Sequence, residues 1–264
     1  MSKDDKAGRG RSACRIAVLL AGAAVSVAST GCRGRAAEAP AVAQETVSSV
    51  SPAATAIVAL IDLSNSFAPL TGTAHTALEA LAEALGQWSG GRDRRTLAVS
   101  WGVIGAEGEH ATPLCPHTRF IVTDLIPRRL EPGEFSDPQL FRKALLQCVE
   151  HVVQRSERVE SYTDIAGALR FAGEVAPASL GDRVFIALSD FKQVLPAGAR
   201  AVPFDVAGAR VALLYGRDAA TVDNSQVLAR VEEWKRLLES AKAQRVCAKP
   251  LAAVTAAGLS ECLY

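Results

Sequence analysis

The feature that most constrains this chain is an alternation, beginning at Thr55, of short apolar runs with stretches patterned at helical spacing. Ala56-Ile57-Val58-Ala59-Leu60-Ile61 has no polar face, as expected of a strand buried on both sides of a parallel sheet. Ala74, Ala77, Leu78, Leu81, Leu85 and Trp88 then recur near the 3.6-residue period, and Ser89-Gly90-Gly91 closes that helix. Strand-like runs follow at 96–104 and 120–125. The connection between them holds Gly105, Gly108, Pro113 and Pro116 and is too short for a crossover helix. An antiparallel hairpin with a long loop is therefore predicted.

Asp137-Pro138 opens the next helix, with Leu140, Phe141, Ala144, Leu145, Cys148 and Val152 as its buried stripe. Another starts at Thr163-Asp164 and carries Ile165, Ala168, Leu169 and Ala172 on one face. Apolar strands are predicted at 184–188 and 211–215. Asp223 caps a long helix striped by Val227, Val231, Trp234, Leu238 and Ala241, and 245–248 reads as a last short strand. The order β-α-β-β-α-α-β-β-α-β predicts an α/β, doubly wound, mostly parallel six-stranded sheet over 55–264. The hairpin would supply one antiparallel edge strand, and helices would cover both faces.

Ahead of this domain, Lys3, Lys6, Arg9, Arg11 and Arg15 precede a small-residue apolar segment over 16–28. That segment is too short to span a bilayer, and residues 1–31 read as an export signal. Ser29-Thr30-Gly31-Cys32 resembles the lipobox of bacterial lipoproteins, although Ser29 stands where Leu is usual. The resemblance implies acylation of Cys32. Ordinary signal cleavage after Arg35 is the alternative, and would leave a secreted protein. Residues 32–54, rich in Ala, Ser, Pro and Glu, then form a flexible tether. The expected location is the bacterial cell envelope, in the periplasm or at the outer membrane, with membrane attachment through lipid. A net charge of +1 over 264 residues gives no basic footprint, so nucleic acid is not an expected partner.

In a doubly wound sheet, ligands sit beyond the carboxyl ends of the strands. The first strand ends in Asp62-Leu63-Ser64-Asn65-Ser66, a later one in Ser189-Asp190, and Thr163-Asp164 precedes the helix between them. These ends bring carboxylates and hydroxyls to one rim, an all-oxygen set suited to a hard divalent cation. Each residue alone has an ordinary explanation as a turn or capping residue. Together, Asp62-x-Ser64-x-Ser66, Thr163 and Asp190 resemble the metal-ion-dependent adhesion site of von Willebrand factor A domains. One departure is Phe191, where that family commonly has Gly.

The resemblance implies that Ser64, Ser66 and Thr163 ligate Mg²⁺, or another hard cation such as Mn²⁺ or Ca²⁺. Asp62 and Asp190 would lie close by or act through waters. It implies a binding protein that recognises a protein partner, which contributes an acidic residue to the metal. A metal-independent structural or assembly subunit of an envelope complex is the alternative. The chain has no nucleophile elbow, P-loop, HExxH or dinucleotide fingerprint, so it does not read as an enzyme. A metal-assisted hydrolase at the same cluster would need a general base that the sequence does not display.

Cys115, Cys148, Cys247 and Cys262 remain in the exported domain, an even number that allows three connectivities. Cys115–Cys148 and Cys247–Cys262 are the preferred pairs, with a buried free Cys148 as the alternative. His110, Cys115 and His117 have zinc-ligand residue types and form a weaker candidate.

Overall fold

The computed structural model describes residues 54–67, 70–90, 96–105, 113–122, 129–157, 161–216 and 224–263. The export signal, Cys32, most of the tether, His110 and Asp223 lie outside the described residues. The strands are β1 (Thr55–Asp62), β2 (Leu97–Ile104), β3 (Thr118–Phe120), β4 (Glu134–Phe135), β5 (Asp182–Ser189), β6 (Arg210–Tyr215) and β7 (Arg245–Pro250). The helices are α1 (Thr73–Gly90), α2 (Pro138–Arg155), α3 (Ile165–Val175), α4 (Asn224–Ser240) and α5 (Ala256–Leu263).

These strands form one sheet in the order β4-β3-β2-β1-β5-β6-β7. Every pairing is parallel except β2 with β3. The sheet is thus doubly wound and mostly parallel, as expected, with seven strands and not six. The antiparallel strand is not the edge either. The two-residue β4 lies outside it, because Arg119 and Phe120 pair with Glu134 and Phe135.

Alternation along the central strands divides the interior in two. Ile57, Ala59 and Ile61 of β1 and Val184, Ile186 and Leu188 of β5 face the core shared with α1, α2 and α5. Ala56, Val58 and Leu60, with Phe185 and Ala187, face the core shared with α3 and α4. A strand buried on both faces needs apolar residues at every position, which explains the unbroken run in β1.

The helix stripes match expectation except at Leu140, which is 55% exposed, and at Ala241, which follows the end of α4; Val149 is an additional buried residue of α2. Asp137 caps α2 by accepting from the Gln139 amide, as the Asp-Pro signal foretold. Helix α5 has no counterpart among the elements expected from the sequence. It packs on α1 and is tied to β7 by the Cys247–Cys262 disulfide, with Cα atoms 5.8 Å apart. Trp88 Nε1 also donates to Ser260 Oγ at 2.8 Å. A second disulfide joins Cys115 to Cys148, Cα atoms 5.9 Å apart, so both preferred pairings are present. Cys115 is thereby removed from the zinc candidate, and His117 Nδ1 instead meets Ser100 Oγ at 2.9 Å.

Candidate functional site: a carboxylate and hydroxyl rim at the β1 and β5 ends

The sheet's winding changes direction at β1 and β5, and the candidate residues gather at the carboxyl ends of these two strands. Ile61 pairs with Leu188, so Asp62 and Ser189 occupy the next rung. Both are fully buried. Ser189 Oγ donates to Asp62 Oδ2 at 2.5 Å, and the Ser64 amide donates to Asp62 Oδ1 at 2.8 Å. With both oxygens engaged, Asp62 anchors the turn that carries Ser64 and Ser66. Their hydroxyl oxygens lie 3.3 Å apart, Ser64 buried and Ser66 half-buried.

Asp190, also fully buried, follows directly on β5. Its Oδ1 accepts from the Lys192 amide at 2.9 Å, whereas Oδ2 is buried without a hydrogen-bond partner among the described residues. Thr163 reaches the same rim through its backbone. It forms a two-bond antiparallel bridge with Val194, in the segment that follows Asp190. The next amide, of Asp164, donates to the carbonyl of Gly105 at 3.2 Å. Gly105 directly follows Ile104, the β2 partner of Asp62. Asp164 itself caps α3 by accepting from the Gly167 amide at 2.9 Å. Helix α3 lies close to the sheet because Gly102 has no side chain; a Cβ there would meet the Phe171 ring at 2.7 Å.

Asp62 and Asp190 are thus buried carboxylates at one rim, and among the described residues neither forms an ion pair. Burial pushes the Asp62 carboxyl up to about 6, against the hydrogen bonds from Ser189 and Ser64, and the charge of Asp190 pushes the same way as burial. A bare buried carboxylate oxygen at a rim that also carries hydroxyls is an environment a hard cation satisfies. The residues present therefore fit the group that the resemblance implies. No group of three or more His, Cys, Asp or Glu that could hold a metal occurs among the described residues, so a cation at this rim would depend on the hydroxyls.

Two residues absent from the sequence-derived set belong to this site. Ser189 bridges the strands: its hydroxyl donates to Asp62 and accepts the Phe191 amide at 2.8 Å. Phe191 is buried with φ of 58°, in the left-handed region. Only the strand pairing reveals the role of Ser189. The departure from Gly at position 191 was the sequence signal for the other.

The α/β, doubly wound, mostly parallel sheet with one antiparallel pair is the architecture that the von Willebrand factor A resemblance implies. No family model and no curated protein matches the sequence. Solved structures similar to this chain include an aerotolerance-related membrane protein from Bacteroides fragilis, 14% identical with a TM-score of 0.46, covering 79% of this chain and 98% of that one. Another is the protein BatB from Bacteroides thetaiotaomicron, 14% identical with a TM-score of 0.45, covering 78% and 96%. A third is the pilus adhesin SpaC from Lactobacillus rhamnosus GG, 14% identical with a TM-score of 0.45, covering 81% and 30%. None of these likenesses carries a residue role to this chain.

Proposed function

We propose that this is an exported, lipid-anchored binding protein that recognises a protein partner through a divalent cation at the β1 and β5 rim. The observation that carries the reading is the buried Oδ2 of Asp190, which has no hydrogen-bond partner among the described residues and lies near a second buried carboxylate, Asp62, on which its charge acts. Ser64, Ser66, Thr163 and Asp190 would hold Mg²⁺, or Mn²⁺ or Ca²⁺ in its place. Asp62 would orient the Ser64 turn through its two hydrogen bonds. The cation supplies a coordination position that an acidic side chain of the partner can fill. The chain's own contribution would be to hold, at the carboxyl end of a rigid sheet, a hydroxyl-rich oxygen set that leaves the ion's charge incompletely neutralised.

The two disulfides fit an oxidising compartment, and Cys32 would supply the anchor. No described helix is long and apolar enough to cross a membrane. The test is capture of partners from envelope extract with Mg²⁺ and then with chelator, comparing wild type with Asp62→Ala. Capture that requires Mg²⁺ and is lost in the variant supports the reading. Capture indifferent to both would make the protein a metal-independent assembly subunit.

A further inference from the structure

We infer that Phe191 is the positioning residue of this site, its buried ring holding Asp190 in the place a cation requires before any cation arrives. The inference rests on the metal reading above. A bulky residue rarely adopts positive φ, because its Cβ crowds the backbone, so something must hold Phe191 at 58°. Two contacts do so. The ring is 1% exposed, in the core between the sheet and helices α3 and α4. The amide donates to Ser189 Oγ, which is itself bonded to Asp62.

Asp190 is therefore held from both sides, by the last residue of β5 and by a side chain sunk in the core. Its Oδ1 is taken by the Lys192 amide, while Oδ2 is left bare. Three residues beyond Phe191, Val194 makes the backbone bridge to Thr163, so the segment that the ring anchors also contacts a second candidate ligand. Glycine at 191 would adopt this φ freely but would have no anchor. The cation would then have to order the segment on binding, which weakens affinity.

The test combines calorimetric titration with Mg²⁺ or Mn²⁺ alone and amide exchange in the metal-free protein. Wild type is compared with Phe191→Gly and Phe191→Leu. In chelator-treated wild type the Phe191 and Lys192 amides should exchange as slowly as those of β5. Phe191→Gly should lose that protection and bind about tenfold more weakly, whereas Phe191→Leu, which keeps an apolar anchor, should stay within about threefold. A folded Phe191→Gly protein with wild-type affinity overturns the inference. So do wild-type amides at 191 and 192 that become protected only when Mg²⁺ is added, a result that needs no variant. A wild type that binds neither cation while both amides are protected refutes the metal reading, and the positioning role with it, but not the rigidity of the segment.

Discussion

Ser189 and Asp62 meet across the β1–β5 pair, the hydroxyl donating to the carboxylate at 2.5 Å in a position closed to solvent. Replacing Ser189 by Ala would remove that donor and would also take the acceptor from the Phe191 amide. The expected cost is about 1.5–3 kcal/mol, the range for hydrogen bonds to a charged group. Urea unfolding at neutral pH measures it. A change below about 0.5 kcal/mol would mean that Asp62 finds another donor.

The metal-free protein should lose stability as pH rises toward neutrality through Asp62. The carboxyl is held at about 6 in the folded chain, against 3.8 as its ordinary value, mainly by burial. Between those values the native state binds the proton more tightly than the unfolded state. Stability from this group is therefore greatest below the lower value and declines until pH passes the upper one, by about 3 kcal/mol in all. The difference between wild type and Asp62→Asn, followed against pH in chelator, isolates the effect. The gap should change with pH only within that window.

Both disulfides should be found by mass spectrometry of non-reduced peptides. Cys247–Cys262 closes a sequence separation of 15 residues and secures α5 against β7. Its removal in Cys262→Ser should cost about 3 kcal/mol by the chain-entropy account. Free thiols at all four positions would contradict the pairing.

Gly102→Ala should destabilise by about 1–3 kcal/mol through overpacking. The new methyl would lie 2.7 Å from the Phe171 ring of α3. Because Thr163 and the capping residue Asp164 lead directly into that helix, cation binding should weaken along with stability. Unfolding and titration of the same sample separate the two effects.

The parts of the fold that the sequence displayed are those in which each residue reports its own surroundings. The apolar run of β1 declares burial on both faces, and Asp137-Pro138 declares a helix start. Helix α5 was hidden because Ala256-Ala257-Gly258-Leu259 offers small residues in place of an apolar stripe. Strand β4, at two residues, is too short for any periodicity. Leu140 is apolar at a plausible stripe position, yet it falls outside the buried arc of α2. The site divides in the same way. Asp62, Ser64, Ser66, Thr163 and Asp190 stand at strand and helix ends that the sequence marks. The bridging role of Ser189 depends on which strand lies beside β1. The left-handed turn at Phe191 goes against what its residue type favours.

Mg²⁺-dependent stability at neutral pH, in wild type and Asp190→Ala, tests the central claim most directly. At a free Mg²⁺ concentration one hundred times the dissociation constant, wild-type unfolding should become harder by about 2.7 kcal/mol. Asp190→Ala removes the bare buried oxygen and should show no such gain. A wild type indifferent to Mg²⁺, Mn²⁺ and Ca²⁺, or a variant stabilised equally with it, would contradict the account.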